Sequence, residues 1–348
     1  MKRLWLATIM CVVGLGPVFG VTSAQAGHDL ADILYEKGQI TKEEWVRAKA
    51  DNEKLEAEQR KVRDDQFPVS LRYKDGFYLQ SRDGNFEMLI QGRVQLRYSF
   101  PQEGDSLVPA DAGTADDKDV SSFRVRRARI KFGGHGFAPW LKYYVEYDWV
   151  SNTLLDYRID IAKFKWATLR VGQWKIDYNR ERVDSSGNQQ FVERSIVNTP
   201  FTLDRQIGAR LGGHLFEGTY AYLVYNIGIF TGTGINNARN DDKKMLYMGR
   251  IQWNFLGRDV PFSQSDVEYS PLPIGSIAFA GAHNRTDRIV FPGSRNNTVV
   301  DGQFEVDQGV QEFAFKWNGL SIQEEFHVKH VTNETNQQKT TSYGAYAQ

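Results

Sequence analysis

The sequence predicts an all-β protein: an antiparallel transmembrane β-barrel of about twelve strands behind a short N-terminal helical or coiled-coil segment. Three observations predict it. The first is the alternation in Leu141-Lys142-Tyr143-Tyr144-Val145-Glu146-Tyr147-Asp148-Trp149. Leu141, Tyr143, Val145, Tyr147 and Trp149 share one face of a strand, and Lys142, Tyr144, Glu146 and Asp148 share the other, because successive side chains point to opposite faces. The next segment repeats the pattern, with Leu155, Tyr157, Ile159 and Ile161 against Asp156, Arg158 and Asp160. The second observation is an export signal: Lys2 and Arg3, an apolar run from Leu4 to Val21, and the small-residue site Ala24-Gln25-Ala26. The third is that no later segment approaches the ~20 continuous apolar residues of a spanning helix. Alternating strands behind an export signal fit a barrel with lipid outside and water inside.

The chain divides into a signal peptide at 1–26, a periplasmic helical segment at 27–66 and a β-barrel from 67 to 348. Cleavage after Ala26 removes Cys11, the one cysteine, so the mature chain has neither disulfide nor thiolate chemistry. It also removes two of the 43 basic residues that balance 43 acidic ones, so net charge names no partner. In the helical segment, Asp29 to Lys37 reads as a short helix stopped by Gly38. Thr41-Lys42-Glu43-Glu44 is a capping box that starts a second helix. Along that helix Trp45, Ala48, Asn52, Leu55, Gln59 and Val62 recur at heptad spacing, weakened by Asn52 and Gln59. A short oligomerising coiled coil and a solvated helix lying on the following domain are both compatible with it. Pro68 closes the segment.

The first full-length strand is expected at Phe86 to Phe100, after Phe77 to Gln80, which is too short to span, and an Arg82-Asp83-Gly84-Asn85 turn. Eleven more follow at about 122–134, 140–150, 154–163, 167–174, 205–215, 219–231, 245–256, 274–285, 307–317, 319–333 and 341–348. Short turns alternate with long connections at 101–121, 175–204, 232–244 and 286–306, as they do between the periplasmic and outer ends of membrane barrels. The connection 257–273 breaks this rule. Tyr98, Trp140, Trp149, Trp166, Trp253, Phe255 and Trp317 fall towards strand ends, where interfacial girdles belong.

Parity, with the apolar face against lipid, sends Arg93, Arg97, Arg127, Arg129, Lys131, Lys142, Arg158, Arg170, Arg210, Arg250, Lys316 and Lys329 to the lumen. Glu87, Glu146, Asp148, Asp156, Asp160, Glu312 and Glu325 join them, so basic groups are in excess. Fixed cations in a narrow wet pore attract anions, and arginine presents a fork of donors suited to oxyanions. The sharpest element is Phe123-Arg124-Val125-Arg126-Arg127-Ala128-Arg129-Ile130-Lys131, in which Arg127, Arg129 and Lys131 form an inward ladder and Arg124 and Arg126 fall on the opposite face, at the strand's outer end or across a bulge. Paired charges of ordinary lumen polarity are the alternative, and Arg158 between Asp156 and Asp160 is a case of it.

At these residues the chain resembles the phosphate-selective porins O and P. The resemblance rests on FRVRRARIKFGG at 123–134, VGQWK at 171–175, FVERS at 191–195 and RQIGARLGG at 205–213, and covers roughly Gly76 to Gln348. It implies a sixteen-stranded outer-membrane barrel, a homotrimer, and a pore for phosphate or other small anions constricted by an inward-folded loop. The stretch from Lys175 to Asp204 resembles that loop and carries Lys175, Arg180, Arg182 and Arg194. Ile176-Asp177-Tyr178 replaces the Pro-Phe usual after its VGQ-type strand, and the central lysine cluster has no residue-by-residue counterpart. Against sixteen strands, twelve leave the expectation of a barrel short by about four, an open sheet with free edges at Phe86–Phe100 and Thr341–Gln348.

Other classes are weakly supported. His327 and His330 are three apart in a strand and cannot share a metal, and no H-E-x-x-H, G-x-S-x-G or phosphate-cradling glycine loop is present, which argues against an enzyme. No cofactor or metal is expected. Export makes nucleic acid an unlikely partner for the basic strand. A secreted β-sandwich that binds a ligand, a barrel hydrolase, and a pore for other anions or small organic solutes stand as alternatives.

Overall fold

The computed structural model describes residues 30–66, 69–99, 122–289 and 298–348; the expected signal peptide and the connection 101–121 lie outside them. The chain opens with α1 (Leu30–Glu36) and α2 (Lys42–Gln66). Gly38 has φ +68°, the left-handed conformation that ends a helix. Thr41 and Glu44 bond reciprocally, Thr41 Oγ1 accepting the Glu44 N–H at 3.3 Å and Glu44 Oε2 accepting the Thr41 N–H at 2.8 Å. The Trp45 indole donates to Asp32 at 2.7 Å and stacks on Tyr35, folding α2 back on α1. Farther along the heptad seam Leu55 is 55% exposed.

Fourteen strands then form one antiparallel sheet in chain order. They are β1 (Val69–Tyr73), β2 (Phe77–Ser81), β3 (Glu87–Ser99), β4 (Ser122–His135), β5 (Leu141–Asp148), β6 (Thr153–Phe164), β7 (Ala167–Lys175), β8 (Arg205–Leu215), β9 (Leu223–Phe230), β10 (Leu246–Trp253), β11 (Ile274–Ile289), β12 (Thr298–Trp317), β13 (Leu320–Asn333) and β14 (Lys339–Ala347). Helices α3 (Arg180–Val183) and α4 (Asn198–Phe201) lie between β7 and β8. The twelve expected strands are β3 to β14, and the short β1 and β2 raise the count to fourteen. The sheet is open among the described residues, with no ladder from β14 to β1, β2 or β3. Its first edge is not β3 alone, because β2 ladders onto Glu87–Ile90. The connection expected at 286–306 is largely strand: β11 runs to Ile289 and β12 starts at Thr298, making one long hairpin.

The convex face is apolar in register. Leu141, Ile161, Leu169, Leu211 and Ile227 lie opposite one another across five strands, and Tyr143, Ile159, Val171, Ala209 and Ile229 form the adjacent row. Ile159, Ile161, Val171, Leu211 and Ile227 are all exposed, and Trp140, Trp149, Trp166, Trp253 and Trp317 are exposed near strand ends. Polar and charged side chains outnumber apolar ones among the buried residues, the reverse of a water-soluble core. This is the pattern expected of a sheet with lipid outside, and no described helix is long and apolar enough to span a membrane.

Two segments fold into the concave side. The long 176–204 segment reaches β3, where Arg93 donates to Ser186 Oγ at 2.7 Å, and β13, where Lys329 donates to the Pro200 carbonyl at 2.9 Å. Its base joins Trp174, Ile176 and Tyr178 to Phe230, Leu246, Met248, Ala280 and Val310 in an internal apolar cluster. Gly172, at the head of this turn, has φ +128°, and a Cβ there would lie 2.2 Å from the Tyr157 carbonyl oxygen, so only glycine fits. The second segment is the misfit connection between β10 and β11. It does not hang free: Lys316 on β12 donates to Ser263 Oγ at 2.7 Å and to the Ser265 carbonyl at 3.2 Å, and Ser321 Oγ donates to the Gln264 carbonyl at 2.6 Å. Its length is used to fill the interior from the short-turn end.

Candidate functional site: a cationic wall facing an inward-folded segment

The β3–β4 ladder pairs Gln91 with Lys131, Arg93 with Arg129 and Gln95 with Arg127, which puts Arg93, Arg127, Arg129 and Lys131 on one inward face. The register then shifts. Leu96 pairs with Val125 and Arg97 with Arg124, so Arg126 is an extra residue, a β-bulge. Across it the alternation changes phase. Arg124 comes opposite the inward Arg97, and Arg126 approaches Glu193 of the inward segment at 3.8 Å. Of the two placements expected for Arg124 and Arg126, the strand's outer end and a bulge, the register gives the bulge, which turns both to the interior instead of the opposite face. The Arg126-Arg127 doublet, which breaks strict alternation, was the available signal.

Few carboxylates answer these cations. Glu193 takes Arg97 at 2.5 Å and is shared with Arg126. Arg129 is held by Glu146 at 3.0 Å and Asp148 at 2.7 Å. Arg127 donates to the neutral Gln95 at 3.0 Å, and Arg93 to the hydroxyls of Ser185 and Ser186. Gly187 passes so close to Arg93 that a Cβ would sit 2.3 Å from Nη1. Lys131 stands opposite Glu146, whose carboxylate already accepts from Arg129 and from Tyr144.

The next strands contrast with this wall. On β6 to β8, Asp160 takes Arg170 at 2.5 Å and Arg158 at 3.5 Å, Asp156 takes Arg205 at 2.6 Å, and Asp177 lies 3.4 Å from Arg210. Arg158 also lies over the Tyr144 ring at 4.4 Å. Arg250 on β10 is sealed against Glu312 at 2.7 Å, both side chains almost wholly buried. Arg158, Arg170, Arg210 and Arg250 thus lie on the inner face as parity places them, but inside ion pairs. Leu155, assigned to the apolar row, is instead the extra residue of a second bulge between β5 and β6 and is buried.

The inward segment gathers its own cations on main-chain carbonyls. Lys175 and Arg194 donate to the Asp184 carbonyl at 2.8 and 2.9 Å, and Arg194 also to that of Glu181 at 3.0 Å. Arg180, 1% exposed, donates to the Pro261 and Val260 carbonyls at 2.6 and 3.2 Å. Arg182 forms a two-pronged pair with Asp204. The segment is pinned to β13 by Glu325, which accepts from the Glu181 N–H at 2.6 Å and from Asn179 at 2.9 Å. Burial draws the Arg194 guanidinium down to about 10, with Arg182 adding to the effect. Burial pushes the Glu181 and Asp184 carboxyls up. Burial acts the same way on Asp177, but Arg210 and Arg170 outweigh it and hold that carboxyl below its usual range. Among the described residues no group of three His, Cys, Asp or Glu side chains could hold a metal.

A family model described as phosphate-selective porin O and P matches residues 107–348. A search of curated proteins finds no match.

Proposed function

The chain belongs to the phosphate-selective porin O and P family, and from that membership we propose that it gives passive, anion-selective diffusion of phosphate or related oxyanions through an outer-membrane pore. The family implies a channel rather than an enzyme. One observation carries the selectivity: Arg93, Arg97, Arg126, Arg127, Arg129 and Lys131 share one wall, and their carboxylate partners among the described residues are Glu193, Glu146 and Asp148. A small anion beside that wall meets uncompensated positive potential, while a cation is repelled. Ser185, Ser186 and Gln95 are neutral acceptors that an oxyanion can replace on Arg93 and Arg127 without breaking an ion pair. Lys175, Arg180, Arg182 and Arg194 brace the constriction opposite.

In this reading the apolar convex rows meet outer-membrane lipid, the short-turn end and α1–α2 lie in the periplasm, and three copies assemble, with the exposed Asn52 and Leu55 of α2 available for a coiled coil. Other anions and small organic solutes are the second reading, favoured by the absence of a residue-by-residue lysine cluster. The test is a planar-bilayer reversal potential. The full-length protein should favour anions over potassium, and replacing Arg127, Arg129 and Lys131 together by Gln should lower that preference. A cation-selective pore, or unchanged selectivity in the triple variant, would sink the assignment; phosphate against chloride separates the two readings.

A further inference from the structure

The two inward segments meet. Phe262, from the β10–β11 connection, has two guanidinium groups over its ring: Arg180 of the 176–204 segment at 5.1 Å from the ring centre, and Arg250 of the β10 wall at 5.6 Å. Both distances are within reach of a cation–π contact. Three features make the junction more than a chance touch. Among the described residues Arg180 is buried without a carboxylate at bonding distance, and its Nη atoms donate to the consecutive carbonyls of Val260 and Pro261, just before Phe262. Arg250 is fixed from behind by Glu312 and Gln252, so it cannot follow a displaced ring. A second contact repeats the join, the Gln190 N–H donating to Gln264 Oε1 at 2.7 Å.

The join lies against a buried polar cluster. Behind it Asn179, Arg180, Glu181, Arg250, Glu312 and Glu325 are buried. The cationic β3–β4 wall lies on the other side of the inward segment, reached through Arg93 and Arg97. We propose that Phe262 is a positioning residue of the pore: held against Arg180 and Arg250, it locks the two segments into one partition that confines permeation to the β3–β4 side and sets the largest solute admitted. The proposal rests on the porin reading, but assigns size exclusion and charge selection to different residues.

Phe262→Ala in the full-length protein, measured in planar bilayers with chloride and with organic anions of graded size, should raise single-channel conductance and the size cut-off. Anion-over-cation preference should persist, because the β3–β4 wall is untouched. Phe262→Leu keeps most of the bulk and loses the π face, and should shift both quantities in the same direction by less. It decides the matter if the alanine variant does not assemble. Joining Gln190→Cys to Gln264→Cys with a short thiol cross-linker in the Phe262→Ala protein should restore the native cut-off, which a general loss of stability would not allow. Native conductance and cut-off in both Phe262 variants, or no restoration by the cross-link, would overturn the proposal. A wild-type pore that fails to prefer anions would instead overturn the porin reading.

Discussion

At the scale of single residues, the interior arginines separate into two kinds. Arg250 and Glu312 are a buried pair whose partners screen each other, so removing one charge strands the other in a dry site. Arg250→Met should therefore cost on the order of 3–5 kcal/mol, seen as a lower temperature for loss of the folded band on heating in detergent. Stability close to wild type would show that water reaches Glu312. Arg127, by contrast, rests on a neutral amide, and its loss should be read in selectivity more than in stability. Sequence alternation placed both residues on the inner face but could not tell them apart. That distinction depends on which acid lies across the ladder or across the lumen, and Arg250 and Glu312 are 62 positions apart.

At the scale of elements, strands β3 to β14 were legible because a half-lipid, half-water sheet must alternate. What escaped is whatever breaks period two. The bulge at Arg126 reverses the phase of β4 with a single residue, and the Arg126-Arg127 doublet is its one sequence sign. The inward course of 254–273 is fixed by Lys316, Ser321 and Arg180 bonding main-chain carbonyls, contacts without a local sequence signature. The 176–204 segment adds a pH dependence. Burial raises Glu181 and Asp184 above their ordinary values of 4.5 and 3.8. Their ionisation therefore weakens docking: the penalty is full above the raised values and fades as pH falls through them. Asp177, held low by Arg210 and Arg170, stabilises above 3.8 and loses that only in stronger acid. Arg194 and Lys175 both donate to the Asp184 carbonyl, and Glu325 faces Glu181. As pH falls through the raised Glu181 and Asp184 values docking should tighten. Limited proteolysis within 176–204 should slow over that interval; faster cutting at the acid end would contradict the sign.

At the scale of the whole molecule, the same sheet serves two solvents. Val171 lies in the middle of an apolar row that crosses five strands, so Val171→Lys should cost about 2–4 kcal/mol of folding free energy in bilayers. Lys165→Ala at the short-turn end, which removes an exposed pair with Glu217, should cost about 0–1 kcal/mol. Urea unfolding from lipid vesicles compares the two directly, and equal costs would mean that the row does not face hydrocarbon.

The apolar cluster at the root of the inward segment carries an optical consequence. Trp174 is 1% exposed, whereas Trp140, Trp149, Trp166, Trp253 and Trp317 are between 39% and 67% exposed on the outside of the sheet. Emission quenched by brominated acyl chains therefore belongs to the outer indoles. The fraction that such lipids leave bright comes from Trp45 on α2 and from Trp174, packed against Phe230 at the root of the inward segment, and Trp45→Phe leaves Trp174 as its source. Native fluorescence thus contains its own readout of the pore interior, without an attached dye.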